Sequence, residues 1–90
     1  MNESRDIMIK RLRMRSMRRG IKEMDLILSA YADAHLDNLS DEGLVLYDRL
    51  LSENDHDLYG WVGGQFPVPE EYLDLVTHIA AGAKGVTKPA

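Results

Sequence analysis

Apolar residues recur along this chain at spacings of three and four, and nowhere do they alternate with polar ones long enough to make a strand. The cleanest stripe, Met24, Ile27, Leu28, Tyr31 and His35, predicts a helix over about 22–35, with Glu23 and Asp25 in the first turn, where the helix dipole favours carboxylates. Ser40 is a good N-cap for a third helix ending near residue 53, with Leu44, Tyr47, Leu50 and Leu51 on its inner face. Asn54 or Asp55 caps a short fourth helix in which Leu58, Trp61 and Val62 face inward, until Gly63 and Gly64 stop it. After a linker at 65–68, Pro69 in a first helical position and Glu70 and Glu71 behind it start a fifth helix. Its stripe is Tyr72, Leu73, Val76, Ile79, Ala80 and Ala83. The first helix, about 5–18, is the least amphipathic. Met8, Ile9, Leu12 and Ser16 lie near one face, while Met14 and Met17 point elsewhere. Gly20 ends this helix, as the residue type that takes a left-handed backbone without penalty.

Helices joined by connections this short favour antiparallel neighbours, so the expected class is all-α and the architecture a compact five-helix bundle. Ninety residues support one hydrophobic core and not two. The whole of 1–90 is therefore read as a single domain with its core in about 5–83 and a flexible tail at 84–90, where small residues and Pro89 carry no apolar period. A monomer is the expectation for the free chain.

Composition narrows the function classes. With 44 % hydrophobic and 29 % charged residues, neither disorder nor a fibrous class is indicated. The absence of cysteine excludes a disulfide framework, a thiolate metal site and a cysteine nucleophile. No apolar run approaches the roughly 18 residues needed to cross a bilayer, so no membrane insertion is expected. The arginine-rich 1–20 stretch contains Glu3 and Asp6, unlike acid-poor transit peptides, and a bacterial cytoplasm is the expected location.

Charge is distributed unevenly. Residues 1–24 carry eight basic and three acidic side chains, a net +5, and the remainder three basic and twelve acidic, a net −9. Such a dipolar surface steers and orients a protein partner. A small helical nucleic-acid-binding or regulatory protein using the basic residues of 11–22 is the alternative. No aromatic residue interleaves with those arginines, and the acidic remainder repels a polyanion, so nucleic acid is not the expected partner.

Local catalytic signatures are missing: the chain has no phosphate loop, HExxH, GxSxG or calcium loop. His35, His56 and His78 fall in three different segments without ligand spacing, so no metal site is expected. The acidic group Glu53, Asp55 and Asp57 with Asn54 lacks calcium-loop spacing and suits capping and solvation. No catalytic residue is assigned.

At the turn between the first two helices the chain reads Arg19-Gly20-Ile21-Lys22-Glu23-Met24-Asp25, followed by Leu26-Ile27-Leu28, by Tyr47-Asp48-Arg49-Leu50-Leu51, and by Asn54-Asp55-His56-Asp57-Leu58-Tyr59-Gly60-Trp61. This resembles the RGxxE signature and its downstream pattern in the succinate dehydrogenase assembly factor 2 family, whose bacterial members are called SdhE, over about 11–80. Ile21, Tyr31 and Tyr47 depart mildly from that pattern. The resemblance implies a five-helix bundle that is no enzyme itself but a chaperone for the flavoprotein subunit of succinate dehydrogenase, promoting covalent attachment of FAD to a histidine of that client. It leaves fumarate reductase open as a second client. FAD is then the cofactor inserted into the partner; none is expected to be bound firmly here, and cofactor-binding residues are unassigned. The implied partner-binding residues are Arg19, Gly20 and Glu23, with Arg15, Arg18 and Asp25 around them. In physical terms a glycine permits a tight corner, while an arginine fork and a carboxylate beside it can dock on polar groups.

Overall fold

Three of the helices start where the sequence supplies a side-chain cap. In the computed structural model, which describes residues 3–87, the Ser4 hydroxyl accepts the Ile7 N–H (3.3 Å) and opens α1, Arg5–Arg15. Helix α2 spans Lys22–His35 and passes into a 3-10 turn at Leu36–Asn38. The Ser40 hydroxyl accepts the Gly43 N–H (3.0 Å) to open α3, Asp41–Leu51. Asn54, not Asp55, caps α4, Asp55–Val62, its side-chain oxygen accepting the His56 N–H (2.8 Å). A second 3-10 turn at Glu70–Tyr72 leads into α5, Leu73–Thr87. Among the described residues no strand forms, so the class is all-α.

The predicted stripes converge on one core. Leu12, Met24, Leu28, Leu36, Leu44, Tyr47, Leu50, Leu58 and Ile79 are fully buried, each large aliphatic one contributing roughly 1.5–3 kcal/mol from removal of its surface from water. The broadest helix pairing is α2 against α5, with α1 laid along α3 and α4 closing against α2 and α5. At the centre Tyr47 stacks on Tyr31 with ring centroids 5.6 Å apart. Its hydroxyl lies 2.6 Å from the Ser16 hydroxyl, which in turn donates to the Leu12 carbonyl (2.7 Å). Ser16, placed on the inner face by its spacing, is thus a buried but satisfied polar group. Burial pushes the Tyr47 phenol up to about 12, against the smaller opposing effect of its bond to Ser16.

Several expectations need correction. Pro69 is extended (φ −55°, ψ 140°) and caps the 3-10 turn without entering a helix. The turn buries Tyr72, whose hydroxyl donates to Glu53 (2.8 Å), and α5 begins only at Leu73. On α5 Leu73 is exposed and Leu75 is buried in its place, on one helical face with Tyr72, Val76, Ile79 and Ala83. Trp61 and Val62 are half-buried at the rim of the core, with Trp61 against the Tyr72 ring (5.9 Å). The 65–68 stretch is more than a linker. The Gly60 carbonyl accepts the N–H groups of Gln65 (2.8 Å) and Phe66 (3.1 Å), and the Phe66 ring lies against Gly60 so closely that a Cβ there would sit 2.1 Å from its Cδ2. Of the expected tail at 84–90, residues 84–87 continue α5 and 88–90 lie outside the described residues.

Candidate partner-binding corner

Helix α1 ends at Arg15, three residues before its expected end. Ser16 stays helical as the C-cap, pinned by Tyr47 and Leu12. The left-handed residue is then Arg18 (φ +56°), not Gly20; with Gly64 it is one of two described residues at positive φ. A left-handed non-glycine residue costs about 1–3 kcal/mol unless its surroundings hold it. Here Asp25 does so: its Oδ2 accepts the Arg18 N–H (2.9 Å), while its Oδ1 accepts the Ser29 hydroxyl (3.2 Å). The carboxylate thus spans the turn from the first two turns of α2, and α2 itself starts from Ile21 with no side-chain cap.

Arg19 turns inward. Its Nε and Nη2 both reach Oδ1 of Asp55, at 2.9 and 2.8 Å. Its Nη1 donates to the Arg15 carbonyl (2.9 Å) and its Nη2 to the Leu51 carbonyl (3.0 Å), the last residues of α1 and α3. One guanidinium therefore satisfies carbonyls at two helix C-termini and a carboxylate at the start of a third helix, where its charge also suits the dipoles of α1 and α3. Only 12 % of its side chain is exposed. The fork expected to grip a partner is committed within the bundle, and it pairs with Asp55, not with Glu23.

Gly20 follows Arg19 onto the same carboxylate, its N–H donating to Oδ2 of Asp55 (2.6 Å). A Cβ on Gly20 would stand 3.0 Å from that oxygen. The glycine is required for close approach to Asp55, and not for the left-handed turn expected of it.

The outward side of the corner is different. Glu23, in the first turn of α2, is half-buried, yet its carboxylate has no hydrogen-bond or ionic partner among the described residues. Around it Arg18, Gly20 and Lys22 are exposed. Two large apolar side chains, Met17 (49 % exposed) and Leu26 (46 %), lie open on either side in sequence, with Leu26 one helical turn from Glu23.

The arginines of α1 are also occupied. Arg11 holds Asp48 through two bonds (3.0 and 2.9 Å) and Glu3 through two more (both 2.9 Å). Arg15 bonds the same Asp48 side chain, its carbonyl (3.1 Å) and the Ser52 hydroxyl (3.0 Å). The Arg11 hydrogen bonds hold the Asp48 carboxyl below its ordinary value against the opposing effect of burial. Arg5 pairs with Asp41 (2.8 Å) and Arg13 with Asp37 (3.2 Å). Of the basic side chains in 3–24, Lys10, Arg18 and Lys22 have no ionic partner among the described residues. The charge asymmetry along the chain is thus largely an internal zipper between α1 and the acidic residues facing it, which removes the basis for a phosphate-binding face. Among the described residues no three His, Cys, Asp or Glu side chains converge, and no helix is long and apolar enough to cross a membrane.

Asp55 was not among the residues singled out for function. Its position beside the N-cap gives an ordinary reason for an acid there, and only the fold shows that Asn54 does the capping and releases Asp55 for Arg19 and Gly20.

A family model described as "Flavinator of succinate dehydrogenase" matches residues 10–82, a stretch that contains the corner and Asp55 together. The chain belongs to this flavinator family. Its similarity to curated flavinator relatives is extensive. It is 44 % identical over 75 residues to succinate dehydrogenase assembly factor 2, mitochondrial, of Meyerozyma guilliermondii, covering 80 % of this chain and 56 % of the relative. It is 38 % identical over 93 residues to assembly factor 2-A of Drosophila yakuba, covering 97 % of this chain and 57 % of the relative. With the Candida glabrata assembly factor 2 it shares 46 % identity over 74 residues, 79 % of this chain and 48 % of the relative. The chain spans about half the length of these relatives.

Proposed function

We propose that this protein is an assembly factor that docks on the immature flavoprotein subunit of succinate dehydrogenase and promotes covalent attachment of FAD, while contributing no reacting group of its own. Membership of the flavinator family supports the client and the reaction. The observation that carries the docking site is the division of the corner: Arg19 and Asp55 hold it from behind, and Glu23 presents a carboxylate with no internal partner among the described residues. A half-buried carboxylate left without donors gains from a partner's guanidinium or backbone N–H groups, bonds that are short and charge-assisted. Gly20 is exposed, so a partner's backbone can approach it, and Met17 and Leu26 add apolar area at the rim.

The client holds FAD and supplies the histidine. Docking restricts the client to geometries in which flavin and histidine meet, and such positioning lowers a barrier by as much as roughly 7–11 kcal/mol with no added catalytic group. The compartment is that of the immature client, for which the bacterial cytoplasm is the reading favoured here; fumarate reductase, with its similar chemistry, is a second candidate client.

The test pairs two variants. Glu23→Gln keeps the shape and removes the charge at a position with no internal partner among the described residues, so thermal stability should stay within about 0.5 kcal/mol of the parent. Flavin retained on the client after denaturation, read by in-gel fluorescence, should fall steeply. Gly20→Arg should abolish it. Full flavinylation of the client with Glu23→Gln would remove this corner from the docking surface.

A further inference from the structure

Two histidines that lie far apart in the sequence meet at the seam between α2 and α5. His35, the last residue of α2, and His78, in the second turn of α5, have ring centroids 4.5 Å apart. Tyr31 closes the group: its ring is 4.8 Å from His35 and 5.2 Å from His78, and its hydroxyl is 2.8 Å from Nδ1 of His78. Beside them runs a groove of about 210 Å3 lined by Ile27, Ala30, Tyr31, Ala34, His35 and Ile79 among others. Ala30 and Ala34 on α2 keep that groove open next to His35. His78 is exposed and His35 half-buried, so the rings are accessible from solvent.

We propose that His35 and His78 form a two-imidazole site for a borderline divalent transition metal, Zn2+ or Ni2+, with water in the remaining positions on the groove side. The proposal stands apart from the docking corner and uses none of its residues. Metal–nitrogen bonds of about 2.0–2.1 Å place an ion roughly 3.2 Å from each ring centroid, so rings 4.5 Å apart subtend about 90° at the ion. A tetrahedral angle needs a centroid separation of about 5.2 Å, a small opening between two side chains at helix positions that face solvent. The second ring nitrogen of a metal-bound histidine donates to an oxygen that fixes its tautomer and orientation, and Tyr31 already stands at that position for Nδ1 of His78, leaving Nε2 for the metal. With nitrogen donors and no converging carboxylate among the described residues, the site suits imidazole-preferring metals and not Mg2+ or Ca2+. Bound metal would tie the end of α2 to α5 and stabilise the folded state by mass action.

The experiment is calorimetric titration of the untagged protein with ZnCl2, NiCl2 and MgCl2, with circular dichroism to show that each variant is folded. The expected result is one equivalent of Zn2+ or Ni2+ and no response to Mg2+. His35→Gln and His78→Gln should each weaken binding by at least about tenfold, and Tyr31→Phe, which removes the oxygen orienting His78, by about tenfold. His56→Gln, an exposed histidine on α4, should bind like the parent. Unchanged Zn2+ affinity in either His35→Gln or His78→Gln, dependence on His56 instead, or no Zn2+ or Ni2+ binding at millimolar metal would overturn the proposal.

Discussion

Removing the Asp55 carboxylate should cost far more stability than a surface acid normally would. Asp55 accepts one hydrogen bond from the Arg19 Nε–H and one from the Gly20 N–H, with Nη2 of Arg19 also in ion-pair contact. Hydrogen bonds to charged groups contribute about 1.5–3 kcal/mol each when taken singly, and stripping one partner from a buried ion pair costs about 3–5 kcal/mol. The pair is not fully buried, with side-chain exposures of 12 % for Arg19 and 20 % for Asp55, so water will recover part of the loss. Arg19 also keeps the Arg15 and Leu51 carbonyls. About 2–3 kcal/mol is therefore expected for Asp55→Ala, a fall in unfolding midpoint of roughly 10–20 °C for a domain this small. A double-mutant cycle with Arg19→Ala, read by urea unfolding, should give a coupling of about 1–2 kcal/mol because each single change strands the other partner. Additive effects within about 0.5 kcal/mol would show that the two side chains do not hold the corner together.

Two further outcomes follow from the core and the α4 exit. Because burial lifts the Tyr47 phenol from 10.0 to about 12, both states keep the proton below pH 10, but between 10 and 12 the unfolded chain has lost it and the folded protein has not. Tyr47 should therefore remove roughly 3 kcal/mol of stability as pH rises across that window, and Tyr47→Phe should flatten the alkaline limb of an unfolding-midpoint curve by one proton; an unchanged slope would refute this. Gly60→Ala places a Cβ 2.1 Å from a Phe66 ring carbon, so the ring must swing out at a cost of about 1–2 kcal/mol. In a Phe66→Ala background the same change should be neutral or stabilising, since alanine is the better helix residue by about 1 kcal/mol, and an equal cost in both backgrounds in chemical denaturation would dismiss the steric account.

The helix order and most of the core were legible because they rest on short-range regularities. Ser40 and Asn54 announce helices by capping chemistry, and Met24, Ile27, Leu28 and Tyr31 are buried as their spacing requires. What failed was phase and pairing. The exposed Leu73 was assigned inward although Leu75, three residues after Tyr72, is the leucine that shares a helical face with Tyr72, Val76, Ile79 and Ala83, and with two leucines so close only the packing shows which one turns in. Gly20 was located correctly but for the wrong reason: the strained residue is Arg18, held by a carboxylate seven positions later, and the glycine answers to Asp55 on another helix. The arginines of 5–19 looked like a free basic face because their partners, Asp37, Asp41, Asp48 and Asp55, lie at separations that composition cannot reveal. The family resemblance placed the corner, yet it could not say which of its side chains point inward.

That inward and outward division changes how loss of activity at the corner has to be interpreted. A docking surface that works by positioning tolerates little displacement, since misplacement by about 1 Å can cost as much as a hundredfold in rate. Arg19 ties together the ends of α1 and α3 and the start of α4. Its replacement can therefore abolish flavinylation of a client without Arg19 ever touching that client. Glu23 stands in the opposite situation, with no bond to lose among the described residues. Function and stability should fall together for Arg19 and Asp55 and separate for Glu23, so activity alone cannot divide the motif into its supporting and contacting parts, whereas activity measured against the unfolding midpoint of the same variants does.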